Sequence, residues 1–548
     1  MGQVKENISA QKLRGGYYTP QAIADFLCQW SIDKNTERIL EPSCGDGNFI
    51  ESAILRFKEL GIKGEDLKGR IKGIELMEEE SLKAKARAAN LGLNSNTIVN
   101  NDFFHYISSN GKEKYDVVIG NPPFIRYQSF PEEHRKLAIE MMQNLGLNPN
   151  KLTNIWVPFL IVSASLLKDD GRMAMVIPAE LFQVRYAAET RVFLSKYFER
   201  ITIVTFKKLV FANIQQEIVL LLCEKKVKPG KGIRVIECET LEDLKSINFK
   251  AINGANVKPI DHTTEKWTKY FLNEDEINLL KRLRKDKRVI SCGDIMEVDV
   301  GLVTGRNEFF MMKEDQVKEW NLKPYTIPVA SKSNQLKGIT LSERDFSENS
   351  QAQNAIHLFI PPNEDFEKLP KVCQKYIQYG EQQGFNTGYK TRIRKRWYIT
   401  PSLWVPDAFA LRQVGDYPKL VLNETVASST DTIHRVRFKE GVNRNMAAVS
   451  FLNSLSFAFS EITGRSYGGG VMTFEPTEIE EIQIPVLADL AVDFDQIDAL
   501  IRKRKIEEVL DIVDEALMIQ HHGFTKDEVG SLRGIWRKLS QRRINRKK

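Results

Sequence analysis

The residues with the plainest chemical capacity are Asn121-Pro122-Pro123-Phe124, set directly after the apolar run Tyr115-Asp116-Val117-Val118-Ile119-Gly120. A β-branched run closed by a glycine and two prolines predicts a buried strand ending in a rigid loop. Pro123 holds Pro122 extended, so the carbonyls around the prolines stay out of any helix and can face a cleft. The carboxamide oxygen of Asn121 and a neighbouring backbone carbonyl can together accept both hydrogens of an exocyclic amino group, while Phe124 stacks on the attached ring. Such an arrangement suits the amine of a nucleobase. Taken alone, the quartet also fits an ordinary strand exit with a buried Phe.

The elements that must position this loop lie upstream. The stretch from Arg38 to Phe49, containing Glu41-Pro42-Ser43-Cys44-Gly45-Asp46-Gly47-Asn48, precedes an amphipathic segment from Ile50 to Leu60. It predicts a strand, a glycine-bearing turn and a helix, the first βα unit of an α/β sheet. The spacing is not that of a GxGxxG turn, and the Glu41 carboxylate favours a ligand with an amino group or a sulfonium over a pyrophosphate. A second strand, Ile71 to Glu75, ends in an acid that can take the two hydroxyls of a ribose. After Thr97-Ile98-Val99, Asp102 could accept from an adenine amino group and Phe103 could pack on its ring. Each acid singly also fits a solvated strand end; their serial placement before Asn121 argues for one pocket. At the start, Tyr18-Thr19-Pro20 leads into Gln21 to Leu27, which predicts Thr19 as an N-cap with Pro20 in the first helical position.

In order and spacing, Thr19-Pro20, Glu41 to Phe49, Glu75, Asp102-Phe103 and Asn121 to Phe124 closely resemble the S-adenosylmethionine-dependent N6-adenine DNA methyltransferases of bacterial type II restriction-modification systems. The order resembles the gamma class, of the TaqI-like or Eco57I-like kind. The resemblance implies that Tyr18, Thr19, Glu41 and the turn Ser43, Cys44, Gly45 bind the methionine part of the cofactor. Glu75 would bind its ribose, Asp102 and Phe103 its adenine, with Asn121 beside it. Asn121, Pro122, Pro123 and Phe124 would hold the target adenine, and Phe211, in the connection between two later strands, would pack on it. The family often has Tyr where this chain has Phe124, which keeps the ring face and loses a hydroxyl.

The fold expected is α/β: a Rossmann-like methyltransferase domain, mostly parallel with an antiparallel end strand, plus a mixed α+β target-recognition domain and a helical C-terminal tail. The boundaries expected are 1–250 for catalysis, 251–289 for a linker with a helix, 290–490 for DNA recognition and 491–548 for a basic helical extension. The catalytic alternation is read as stopping after Lys225 to Lys231. Within the recognition region, Thr304-Gly305-Arg306-Asn307 resembles the element that opens the target-recognition domain of TaqI-like methylases. Further on, Lys390, Arg392, Arg394, Lys395 and Arg396 put five basic residues among seven, flanked by Tyr389 and Trp397. Guanidinium groups there can neutralise phosphates or read guanine edges, although a charge run also fits a solvated face. Arg126 and Tyr127, next to the active loop, are candidates for phosphate and base contacts. The stretch His521 to Lys548 holds nine basic residues against two acids and could grip DNA or be a frayed end.

Bulk properties set wider limits. The chain has 548 residues and a net charge of +7, too mild to demonstrate a nucleic-acid partner. Its six cysteines have no CxxC spacing, so neither a disulfide framework nor a zinc site is suggested, and no metal is expected. No stretch resembles a signal peptide or a run of about 18 apolar residues, so a cytoplasmic protein is expected, neither secreted nor membrane-spanning. The partners expected are double-stranded DNA and, functionally, a separate restriction endonuclease, with the chain itself a monomer. A nuclease motif of the Asp…Glu-x-Lys kind is not evident. The alternatives are a methyltransferase of rRNA or of protein glutamine, which uses a similar Asn-Pro-Pro loop, and a catalytically idle DNA-binding subunit.

Overall fold

In a computed structural model, the described residues run from 18 to 545 and leave out 63, 94, 112, 126–128, 150–152, 209, 211–216, 228–229, 249–256 and 467–468. The readings on Arg126, Tyr127 and Phe211 therefore lie outside the described residues. Two compact units divide between Phe271 and Leu272, inside the stretch read as a linker.

The first unit alternates strands and helices in chain order: α1 (Gln21–Ser31), β1 (Ile39–Glu41), α2 (Asn48–Glu59), β2 (Ile71–Glu75), α3 (Glu78–Asn90), β3 (Ile98–Asn100), α4 (Phe103–Asn110), β4 (Tyr115–Gly120), α5 (Glu132–Asn144), α6 (Trp156–Ser165), β5 (Leu167–Pro178), α7 (Ala188–Tyr197), β6 (Arg200–Phe206), β7 (Ile218–Glu224) and β8 (Gly232–Cys238). The eight strands form one sheet in the order β3-β2-β1-β4-β5-β7-β6-β8. β1 to β5 pair in parallel, as do β6 and β8, whereas β7 runs antiparallel to both of its neighbours. Strand order turns over between β1 and β4, and at such a switch point a crevice opens outside the carboxyl ends of the strands. The apolar strands explain the layers: β4, β6 and β7 are buried along nearly their whole length, and α6 is buried from Trp156 to Ala164 because it is apolar on every side.

Two local readings change, and β5 carries a bulge. The reversed strand is not at the end of the sheet: Gly232–Cys238, beyond the expected stop, adds β8 alongside β6. The segment Lys168 to Gly171 belongs to β5 and bulges between Leu167, opposite Tyr115, and Arg172, opposite Val117. Thr19 does not cap α1: the helix begins at Gln21, because Pro20 at the cap position is extended at ψ 138°, and the N-terminus has no side-chain cap.

The second unit is mixed α+β, as expected. A five-stranded sheet joins Met296–Asp299, Ile433–Phe438, Ala408–Leu411, Leu420–Asn423 and Thr340–Leu341, and a four-stranded sheet is built around His357–Phe359 and Thr326–Ala330. The C-terminal helices are part of this unit rather than a frayed end. Ile497, Val509, Val513 and Trp536 share a core with Leu452 and Phe457. Arg543, 2% exposed, pairs with Glu461 at 2.7 Å, and Arg533 pairs with Asp511 at 2.6 Å and Asp514 at 3.0 Å. Part of the tail's positive charge is thus spent on internal ion pairs.

Candidate active site

Four acidic or amide side chains sit at or just beyond the carboxyl ends of four neighbouring strands. Glu41 ends β1 and is 1% exposed, and its Oε2 makes no hydrogen bond among the described residues. Burial, with the nearby Glu75 and Asp46 charges, pushes its carboxyl well above the ordinary range. A buried carboxylate in that state gains from any cation or donor placed against it. Glu75, at the end of β2, accepts from Gly45 N and from Met77 N, each at 2.8 Å; burial nevertheless raises its pKa. Asp102 follows β3, caps α4 by accepting from His105 N at 3.0 Å, and lies 3.3 Å from His134 Nδ1. Phe103 is buried, with one face stacked on Phe159 at 5.0 Å between centroids.

The turn between β1 and α2 is shaped by glycine and tied from outside. Gly47 has φ +93°, and a Cβ there would lie 3.0 Å from Ala84 Cα of α3, so only glycine lets the turn lie this close to that helix. Arg87, also on α3, pairs with Asp46 and Glu51 at 2.9 Å and bonds Asn48 Oδ1. Cys44 is buried and its N donates to Ile74 O at 2.9 Å. Arg87 went unnoticed in the sequence, since a basic residue on a charged helix carries no local mark of its partner.

Asn121 stands at the end of β4, next to β1. Its Nδ2 donates to Thr19 Oγ1 at 3.1 Å, and Ser43 Oγ donates to its backbone oxygen at 3.2 Å. Asn48 Nδ2 donates in turn to Thr19 O at 2.9 Å. A continuous network therefore runs from Arg87 through Asn48 and Thr19 to Asn121, joining the turn to the loop. Pro122 is buried, Pro123 half-buried, and Phe124 half-buried against the core under the sheet. Tyr18 is exposed and its hydroxyl donates to the Glu80 carboxylate at 3.1 Å.

In the second unit, two distant sequence signals come together. A Cβ at Gly305 would lie 2.7 Å from Lys390 Cβ, and one at Gly388 would lie 2.8 Å from Arg306 Nε, so the Thr304 to Asn307 loop packs directly on the start of the basic segment. Thr304 is buried, and its hydroxyl donates to Asn307 Oδ1 and accepts from Arg306 N at 3.3 Å. Arg306 Nε is buried and makes no hydrogen bond among the described residues. The five basic residues divide. Arg396 grips Asp365 through Nε at 3.0 Å and Nη2 at 2.7 Å and also bonds Asn363, while Arg394 donates to Val303 O at 2.7 Å. Lys390, Arg392 and Lys395 are exposed beside the exposed rings and chains of Tyr389 and Ile393.

A mostly parallel sheet with acids at successive strand ends and an Asn-Pro-Pro-Phe loop at its switch point is the architecture of S-adenosylmethionine-dependent methyltransferases. The family described as N-6 DNA Methylase matches residues 5–309, more than half of the chain, and the chain belongs to that family. The Type II methyltransferase M.Eco57I C-terminal domain matches residues 264–518. The chain is 23% identical over 520 residues to Type II methyltransferase M.AccI of Acinetobacter calcoaceticus, covering 91% of this chain and 88% of that one. It is 20% identical to Type II methyltransferase M.XamI of Xanthomonas campestris pv. amaranthicola, covering 87% and 86%. Among solved structures, it is similar in fold to the Type IIL restriction-modification enzyme MmeI in complex with DNA, with TM-score 0.59 and 11% identity over 93% of this chain and 73% of that one. The ATP-dependent Type ISP enzyme LlaBIII bound to DNA gives TM-score 0.50 and 12% identity over 90% of this chain, which spans 39% of that one.

Proposed function

We propose that the chain is a gamma-class, site-specific DNA methyltransferase that transfers a methyl group from S-adenosylmethionine to the N6 amino group of a flipped adenine in double-stranded DNA. On this reading it acts as a monomer in a bacterial cytoplasm and protects a site against a separate restriction endonuclease. The observation that carries it is the pairing, at neighbouring strand ends, of the buried Glu41 carboxylate with Asn121 held by Thr19. Membership of the N-6 DNA Methylase family and similarity to named type II methyltransferases support DNA as the substrate over rRNA, protein glutamine or an idle binding subunit. No helix among the described residues is long and apolar enough to cross a membrane.

The residues fit the cofactor. The hydrogen-bond-free Oε2 of Glu41 suits a cationic ligand, and the glycine turn lets backbone approach it closely. When bound, S-adenosylmethionine supplies an electrophilic methyl group on a sulfonium leaving group. Tyr18, Thr19, Glu41, Ser43, Cys44 and Gly45 would hold its methionine part, Glu75 its ribose, and Asp102 and Phe103 its adenine. The target amino nitrogen is a weak nucleophile because its lone pair is delocalised into the ring. Asn121 and the Pro122 carbonyl, accepting its two hydrogens, favour a pyramidal nitrogen and offset the positive charge that develops on attack. By analogy with oxyanion holes, each such contact contributes about 3 kcal/mol. Stacking on Phe124 and Phe211 offsets the few kcal/mol of unstacking that flipping requires.

The test is incubation of the full chain with tritiated S-adenosylmethionine and a pool of duplexes. Label is expected in N6-methyladenine; cofactor binding without label in any adenine-containing duplex refutes the reading. Sequencing the methylated adenines of an expressing host identifies the site.

A further inference from the structure

We propose that Asp102, His105 and His134 form a binding site for a divalent transition-metal ion of the zinc class. These residues lie at the N-termini of α4 and α5, and one ligand atom from each falls within 4.8 Å of the other two. Two of the chain's seven histidines meet here, with their rings 5.2 Å apart and perpendicular. Asp102 is 3% exposed, and its Oδ1 is 3.3 Å from Nδ1 of His134, a buried nitrogen that makes no hydrogen bond. Around a tetrahedral ion with bonds of about 2.0–2.1 Å, donor atoms stand about 3.3 Å apart. The Asp102–His134 pair is at that spacing already, and the donor of the half-buried His105, within 4.8 Å of both, is the third ligand that coordination would draw inward. Glu133 Oε1, 3.6 Å from His105 Nε2, or a water completes four-coordination. Two imidazoles and a carboxylate select zinc, cobalt, nickel or copper over magnesium or calcium, which prefer oxygen donors.

The position gives the site a consequence. On the reading proposed above, Asp102 accepts from the amino group of the cofactor's adenine, and an ion on the same carboxylate draws off its negative charge and crowds that subsite. Metal and S-adenosylmethionine therefore weaken each other's binding, and zinc-class ions inhibit transfer by lowering affinity for the cofactor. The metal site itself rests only on the geometry of the three residues. In sequence it is marked by Asp102-x-x-His105 and Glu133-His134, two short pairs too far apart to register as one motif.

The test is titration of the chelator-treated full chain with Co2+ alone, followed by the visible absorption of four-coordinate cobalt. One equivalent is expected to bind, and His105→Asn and His134→Gln are each expected to weaken it at least 10-fold while circular dichroism melts stay unchanged. Absence of the absorption, or an affinity unaltered in both variants, overturns the site. Repeating the titration with saturating S-adenosylmethionine is expected to weaken Co2+ binding at least 10-fold. Binding that ignores the cofactor overturns the coupling between the two sites, while leaving methyl transfer to be judged by its own assay.

Discussion

Replacing Thr19 with valine keeps the volume of a 5% exposed side chain and removes the hydroxyl that accepts from Asn121 Nδ2 at 3.1 Å. A typical hydrogen bond contributes about 0.5–1.5 kcal/mol net. If about 1.5 kcal/mol of the orientational preference of Asn121 is lost, its productive rotamer is depleted roughly 10-fold, and the chemical step slows by the same factor. Asn121→Ala, which deletes an acceptor contributing about 3 kcal/mol, is expected to slow it by more than 100-fold. The assay is single-turnover methyl transfer with enzyme in excess over a duplex that carries the modified site, with cofactor affinity measured separately by calorimetry. Thr19→Ser, which restores the hydroxyl, is expected to recover most of the rate. A Thr19→Val enzyme with an unchanged single-turnover rate, or a slow one that Thr19→Ser fails to rescue, refutes the positioning argument. A loss confined to cofactor affinity assigns Thr19 to the cofactor alone.

Further outcomes follow from the same geometry. Glu41 has a folded-state pKa raised above its unfolded value of about 4.3, so the folded chain holds an extra proton and stability falls as pH rises from there. Glu41→Gln is therefore expected to raise the melting temperature of the cofactor-free chain by a margin that widens from pH 5 to pH 8, and to weaken cofactor binding; a pH-independent margin in thermal scans contradicts the assignment. Arg392→Ala is expected to reduce the slope of log affinity for duplex DNA against log salt by about 0.9, whereas Arg396→Ala, already engaged with Asp365 and Asn363, leaves the slope near that of the parent. Anisotropy titrations that reverse the two would show that Arg396 abandons its ion pair on DNA. Arg543→Ala strands the buried Glu461 carboxylate and is expected to cost about 3–5 kcal/mol in denaturant unfolding; a loss under about 1 kcal/mol would mean that water reaches the pair.

The elements written within a few residues were legible from the sequence. The β-branched runs before Glu75 and Gly120 are strands, the glycine-bearing turn after Glu41 joins a strand to a helix, and the acids stand at successive strand ends with Asn121 after β4. Each of these follows from side-chain period and turn chemistry, which act over a handful of positions. The second half likewise announced its basic, aromatic-flanked segment.

Tertiary structure decided which of these residues meet. Thr19 fitted a helix cap by local rules, yet it receives Asn121 from 102 positions away, because an extended Pro20 starts the helix one residue later. Arg87 is an ordinary charge on α3 until packing of α3 on the turn, across Gly47 and Ala84, brings it to Asp46 and Asn48. The basic run looked uniform, but two of its arginines are engaged within the unit, one in an ion pair with Asp365 and one in a bond to Val303. The C-terminal helices read as a basic tail until Trp536 found Phe457 and Arg543 found Glu461. Local sequence sets the conformational preference of each short segment; which charges are neutralised, which hydroxyls are occupied and which strand is last in the sheet depend on desolvation and contact between segments brought together only when the whole chain has folded.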